Sequence, residues 1–446
     1  MLLLGAGASV EAGVPHATRM TEEILRRFRE RQDLQEYGHI LSFAIGGLLF
    51  QSGIRDSNPF DGVNVEDVFN AVLLLSARHK LEAAPFVGSW HHMVDEFDRI
   101  RPRADHEKLI RAIYKAVVEA LAAAIPSSRS TTADATVNKA LRTSLEKAVK
   151  SPTSTLTGSS YLGAAVQDAL QRFAKKWTDG AKQRPPSTFQ TSEVGREFKR
   201  AIRGQQLQPG DGEVFGRTAR HMISMLRGLV WIEDPDKVNY LSPLATLARR
   251  QERVTIATMN YDNAIELLCR QSGVHCATGI DEWSTRGRFS FAGAGINLIK
   301  LHGSIDWVRS DNVRTAERPL PHTRIEQLVS KEQAEDYFPA VIFGQKNKLT
   351  AEGPFLDLLR AFERALVGAT ILTVIGYSLR DAHINEYITR WLNADPGRRL
   401  RIVDPNFDSN QGEFAVMLRQ YAADRIEVVQ QYTGVALRRL YEDGPN

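Results

Sequence analysis

Past residue 250, short β-branched runs alternate with helical segments, and that alternation limits the fold more than any other feature of the chain. The runs are "RVTIATMN", "INLIKLHG", "AVIFGQ", "ATILTVIGYS", "LRIVDPN" and "RIEVVQQY". Helical patterns such as "DNAIELLCRQ", "PFLDLLRAFERAL", "AHINEYITRWLN" and "GEFAVMLRQYA" separate several of them. Strands that are apolar throughout and joined by helices belong to a parallel sheet covered on both faces. One further strand is expected at the opening "MLLLGAGASVEAGVP", where an apolar run meets a glycine-rich turn. The fold class is therefore α/β, with a Rossmann-like parallel sheet interrupted by a large all-helical insertion. The expected division is residues 1–15 plus 225–446 for the sheet domain and 16–224 for the insertion.

The insertion is expected to be helical because its apolar residues recur at helical spacing. "TRMTEEILRRFRERQ" puts Met20, Ile24, Leu25 and Phe28 on one face, and "NVEDVFNAVLLLSARHKL" opens on an Asn64 cap with acidic first-turn residues. "HEKLIRAIYKAVVEALAAAI", "TVNKALRTSLEKAVK" and "LGAAVQDALQRFAKKW" are three more amphipathic segments. "SPTSTLTGSS" and "DGAKQRPPSTFQTSE", with Pro185-Pro186, are expected breaks. The apolar face of "YKAVVEALAAAI" is more than one layer buries, so subunit contacts and a homo-oligomer are expected.

Composition excludes several classes. A chain of 446 residues is too long for one ordinary core. The formal net charge of +4 is small for this length, so neither direct nucleic-acid binding nor a membrane surface is expected. No apolar stretch approaches the roughly 20 residues of a membrane span, and the start lacks the pattern of a signal peptide, so a cytoplasmic location is expected. The two cysteines, Cys269 and Cys276, make neither a disulfide framework nor a four-cysteine zinc site. His91, His92 and His106 sit in polar helical stretches and read as surface or satisfied histidines, and no metal is expected.

The polar residues gather where strands end. They are Gly5-Ala6-Gly7-Ala8-Ser9 with Gly13, then Thr258-Met259-Asn260-Tyr261-Asp262, Leu301-His302-Gly303-Ser304 and Gly376-Tyr377-Ser378-Leu379-Arg380-Asp381, with Asp404-Pro405-Asn406 as a weaker fifth. Small residues after a strand allow close approach, either of another backbone or of an anion at free N–H groups. Each motif alone has a plainer reading: Asn260 as a turn former, Asp262 or Ser378 as a helix cap, His302 as a core histidine bonded to backbone. Together, at the carboxyl ends of parallel strands, they stand where ligands bind in such folds.

"GAGAS…AGVP", "TMNYD", "LHGS" and "GYSL" resemble the sirtuin fingerprints, and most closely those of the bacterial sirtuin-like branch found in antiphage defence. The resemblance covers residues 1–15 and about 250–410. It implies NAD+ as substrate. Gly5, Ala6, Gly7 and Ser9 would cradle the pyrophosphate, Ser378 would touch a phosphate, Gly376 would belong to the same cofactor site, and Asp404 or Asn406 would lie by the adenosine. Asn260 would contact the nicotinamide ribose and help place a water, Asp262 would lie near the amide, and His302 would be the general base.

The chain also departs from the deacetylating sirtuins. Pro15 is followed by "HATRM" where they carry an Asp-Phe-Arg segment, and their four-cysteine module is missing. The resemblance therefore implies an NAD+ glycohydrolase releasing nicotinamide and ADP-ribose as an antiphage effector. A HerA-type ATPase, a prokaryotic Argonaute or another defence-system protein is the implied partner. The alternatives are an NAD-dependent protein deacylase and a non-catalytic nucleotide-binding scaffold.

Overall fold

The computed structural model describes residues 1–54, 62–87, 89–99, 213–291, 293–315, 318–328, 330–331, 339–341 and 353–443. The expected helices at 106–125, 136–150 and 162–177, the two breaks around 151–160 and 179–193, and His106 lie outside the described residues. The chain divides into two compact units. Met1–Glu30, Gly38–Leu81 and Phe215–Asn446 form the first, and Arg31–Tyr37 with Glu82–Val214 form the second. Residues 16–30 and 38–81, which sequence analysis gives to the insertion, thus group with the sheet. In the second unit the described part includes a helix at His92–Arg99, and His91 and His92 stack ring on ring at 4.4 Å.

The first unit is built on a seven-stranded sheet. Its strands are β1 (Leu2–Leu4), β2 (Arg253–Thr258), β3 (Cys276–Ala277), β4 (Gly295–Lys300), β8 (Ile371–Ile375), β9 (Arg399–Val403) and β10 (Ile426–Val429). Their order is β10-β9-β8-β1-β2-β4-β3. Every pairing is parallel. Apart from the short edge strand β3, this is the Rossmann arrangement, in which the order reverses beside the first strand.

The short β1 now makes sense. It is the middle of the sheet, paired with β8 on one side and β2 on the other, and Leu2, Leu3 and Leu4 are at most 3% exposed. A central strand covered on both faces has no solvent side, so its sequence shows no alternation. The backbone ladder runs one step past the strands: Gly5 N donates to Ile375 O at 2.9 Å, Met259 N to Leu4 O at 3.0 Å and Leu301 N to Thr258 O at 2.8 Å. These bonds bring the motif-bearing loops to one end of the sheet.

One expected strand goes elsewhere. "AVIFGQ" contributes to β7 (Pro339–Val341), which pairs antiparallel with β5 (Gly303–Val313) in a separate sheet of order β6-β5-β7, where β6 is His322–Gln327. β5 begins directly after His302. Gly303 makes the bend with φ of 80°, and a Cβ there would lie 2.0 Å from Ala340 O. Asn64 caps the helix Val65–Ser76, its side chain accepting from Glu66 N at 2.8 Å. Met20, Ile24 and Phe28 are buried as expected, with Leu25 partly exposed. Among the described residues no helix is long and apolar enough to cross a membrane.

Candidate active site

After β1 the chain turns into a 3₁₀ helix at Ala6–Ala12, closed by Gly13 in the left-handed region. The glycines here meet backbone. A Cβ on Gly5 would lie 2.6 Å from Gly376 O, and one on Gly7 would lie 2.7 Å from Gly376 Cα. Gly7 N donates to Gly376 O at 2.8 Å, Ala8 N to Gly5 O at 3.0 Å and Gly376 N to Val403 O at 2.9 Å. Thus the turns after β1 and β8 pack backbone to backbone. The amides of Gly5 and Gly7, expected at the pyrophosphate, and of Gly376, expected in the cofactor site, are committed to protein carbonyls. Ala6 is exposed and Ser9 is buried.

The loop after β2 leans on the same turn. Asn260 Nδ2 lies 2.9 Å from both Gly5 O and Ser9 Oγ, and Asn260 N donates to Thr258 Oγ1 at 3.0 Å. Asp262 is 6% exposed, and its Oδ1 accepts from Ala264 N at 3.1 Å at the start of the helix Ala264–Ser272. The capping reading of Asp262 therefore holds for one of its oxygens. A cavity of about 10 Å³ is lined by Leu4, Ala8, Ser9, Thr258, Asn260 and Asp262 among others. That is room for about one water, with polar partners to hold it.

His302 follows β4, the neighbour of β2, and is 2% exposed. Its ring faces Tyr261 at 6.3 Å and His383 at 6.0 Å between centroids. One ring nitrogen each of His302 and His383 and one carboxylate oxygen of Asp381 lie within 4.8 Å of one another. Tyr261 OH donates to Glu66 Oε1 at 2.5 Å. Burial, reinforced by the Glu66 carboxylate, pushes the Tyr261 phenol well above its ordinary value.

The remaining expected residues stand at the rim. Ser378 and Asn406 are exposed, and Asp404 is half-buried with its Oδ1 accepting from Asn406 N at 2.8 Å. The structure thus brings Ser9, Asn260 and Gly5 into contact and seats Gly7 against Gly376. It spends the Asp404 carboxylate on a local turn. A larger cavity of about 530 Å³ opens beside Gly13–Pro15, bounded by Arg19, Arg27, Trp231, Lys237 and Lys331; none of the expected site residues lines it.

Sequence reasoning missed the residues beneath the site. Lys300, fully buried, donates to Glu266 Oε1 at 2.7 Å and to the carbonyl of Asp262 at 2.6 Å. Burial works to lower the Lys300 ammonium, but Glu266, Asp306 and Asp262 outweigh it and hold it above its ordinary value. Asn263 is equally hidden, exchanging hydrogen bonds with the backbone of Ile232 at 2.8 and 3.0 Å. A lysine at the end of a mainly apolar strand, "INLIK", was the available signal for the first.

Comparison with known proteins comes to the same half of the chain. Residues 254–426 match the SIR2-like domain. No curated protein matches the chain. A Sir2 structure with the inhibitor EX-527, 2'-O-acetyl-ADP-ribose and deacetylated p53 peptide is 16% identical over 46% of this chain and 71% of its own, at a TM-score of 0.27. A Sir2–p53 peptide–NAD+ complex is 15% identical over 45% and 69%, at 0.27. A Sir2 homologue mutant bound to ADP-ribose is 14% identical over 58% and 84%, at 0.30. The stretch that matches the SIR2-like domain spans β2 to β9 and includes the loops that carry Asn260, His302 and Ser378.

Proposed function

We propose that the chain is an NAD+ glycohydrolase that cleaves NAD+ to nicotinamide and ADP-ribose. One observation carries the reading: the Asn260 carboxamide is fixed between Gly5 O and Ser9 Oγ at the wall of a one-water cavity, with His302 buried at the end of the adjacent strand. The fit to NAD+ is partial. Gly5 and Gly7 shape the turn with their amides already engaged, which leaves Ala6, Ser378 and Asn406 as the exposed groups for the phosphates and adenosine.

The chemistry asks for little beyond orientation. Breaking the N-glycosidic bond passes through an oxocarbenium-like state, and nicotinamide leaves as its ring loses its positive charge. Water supplies the new bond to the ribose carbon and its surplus proton goes to a base. Asn260 orients the ribose or that water, and His302 accepts the proton from the water or a ribose hydroxyl. The buried walls around His302 keep competing water out.

In the same reading the enzyme depletes NAD+ as an antiphage effector, and the sirtuin-like motifs are what support this. Such an activity must be restrained, by packing in a homo-oligomer or by a partner such as a HerA-type ATPase. The chain's two cysteines cannot supply the four-cysteine module of the deacetylating sirtuins, which favours hydrolysis over deacylation. Product analysis separates the two. With NAD+ and no peptide, nicotinamide and ADP-ribose are expected in equal amounts. Nicotinamide released only with an acyl-lysine peptide, with the acyl group moved to ADP-ribose, would replace hydrolase with deacylase. Cyclic ADP-ribose would mean that the site excludes water more fully than one small cavity suggests.

A further inference from the structure

We propose that Asp381 is a positioning residue for the His302 imidazole, and that the loop after β8 is built to hold it there. This rests on reading His302 as the base of the reaction above. Asp381 occupies the N-cap of the helix Ala382–Ala394 with extended backbone, yet its side chain makes no cap hydrogen bond. An aspartate at an N-cap ordinarily accepts from the helix's first amides. Here one of its carboxylate oxygens lies within 4.8 Å of a ring nitrogen of His302 and of one of His383.

The loop behind it is tightly held. Tyr377 OH donates to Asn385 Oδ1 at 2.9 Å and accepts from Asp381 N at 3.0 Å, and Asn385 Nδ2 donates to Leu379 O at 2.7 Å. Leu379 is left-handed at φ 57°, a strained conformation for a leucine. A strained residue held by such a hydrogen-bonded framework points to a structure kept for what it positions. Burial and then the charge of Asp381 push the Tyr377 phenol up, so it stays a donor.

The groups around the imidazole come from three elements. Tyr261 comes from the loop after β2, with Glu66 of the helix Val65–Ser76 behind it; Asp381 and His383 come from the N-cap and first turn of the helix Ala382–Ala394. Tyr261 stays protonated, so Asp381 brings negative charge to the ring from this set. A carboxylate beside an imidazole fixes its tautomer and favours the protonated form, the state His302 reaches once it has taken the proton. A base oriented by a third group is the arrangement that active nucleophile and water sites share.

The test is NMR of ring-labelled histidine in the full-length chain. The His302 signal, identified by its loss in His302→Ala, is titrated in wild type and in Asp381→Asn. The asparagine variant is expected to titrate about one pH unit lower, because the imidazolium has lost a neighbouring anion. Nicotinamide release should fall about ten- to hundred-fold in kcat, with KM for NAD+ nearly unchanged. Asp381→Glu should restore part of both. An unchanged His302 titration in Asp381→Asn overturns the proposal, and that readout stands even if the wild type releases no nicotinamide, an outcome that would count against the hydrolase reading alone. Zinc binding by the wild type that is lost in His383→Ala would also overturn it, by making the cluster a metal site.

Discussion

Lys300→Met should cost the folded chain about 3–5 kcal/mol, the range for removing one partner of a buried ion pair. Lys300 is 0% exposed and Glu266 8%, and their charged groups are 2.7 Å apart. Methionine fills similar space but leaves the Glu266 carboxylate buried without its cation. It also removes the donor from Asp262 O, held at 2.6 Å, so the loop that carries Asn260 loosens as well. The double variant Lys300→Met, Glu266→Leu should recover most of the stability, since an apolar pair carries no desolvation penalty. Activity should not recover with it, because Asp262 O still lacks its donor. The sign with pH follows from the raised lysine value. The ammonium's contribution is full below its unfolded value of roughly 10.4 and is lost only as pH rises through the higher folded value. Urea unfolding near neutral pH therefore reads the whole effect. A loss under about 1 kcal/mol in Lys300→Met would remove the pair from the account.

Gly376→Ala has the second large effect expected. Gly376 has φ of 61°, and a Cβ there would meet Ala8 N at 2.3 Å, Gly7 C at 2.4 Å and Gly7 Cα at 2.6 Å. All three are backbone, so no side chain can swing aside. Left-handed alanine costs about 1–3 kcal/mol, and forcing two packed turns apart adds about 1–3 kcal/mol more. Separation also breaks the bond from Gly7 N to Gly376 O at 2.8 Å and shifts Gly5 O, the acceptor of Asn260. Stability and nicotinamide release should fall together. Gly412→Ala is the control, with φ of 87° and nothing within 4 Å of the added carbon. It carries backbone strain alone. Equal losses in the two variants would show that the packing of the turns after β1 and β8 matters little.

The sheet was legible because its strands are buried on both faces. A run such as "ATILTVI" can hardly be anything else between two helices, and β8 stands at Ile371–Ile375. The antiparallel sheet was not, because β5 and β6 carry charged residues along their length and "AVIFGQ" looks like any other buried strand. The loops that bear Asn260 and His302 were legible from motif order. What each side chain touches was not. The glycines of "GAGAS" announce close approach, but sequence does not say whether ligand or backbone approaches. The answer for Gly5 and Gly7 is the backbone of Gly376. Lys300 was hidden because it bonds across the sheet end to a residue distant in sequence, and the motif that holds Asp381 was visible while its place beside His302 was not, for the same reason.

The central claim is that the site formed by Asn260 and His302 cleaves NAD+. The most direct measurement is nicotinamide release by the purified full-length chain, wild type beside His302→Ala, with circular dichroism to show that both are folded. If His302 is the base, the wild type releases nicotinamide and the variant falls by about a hundred- to ten-thousand-fold without losing its fold. Release at the wild-type rate from folded His302→Ala would contradict the account.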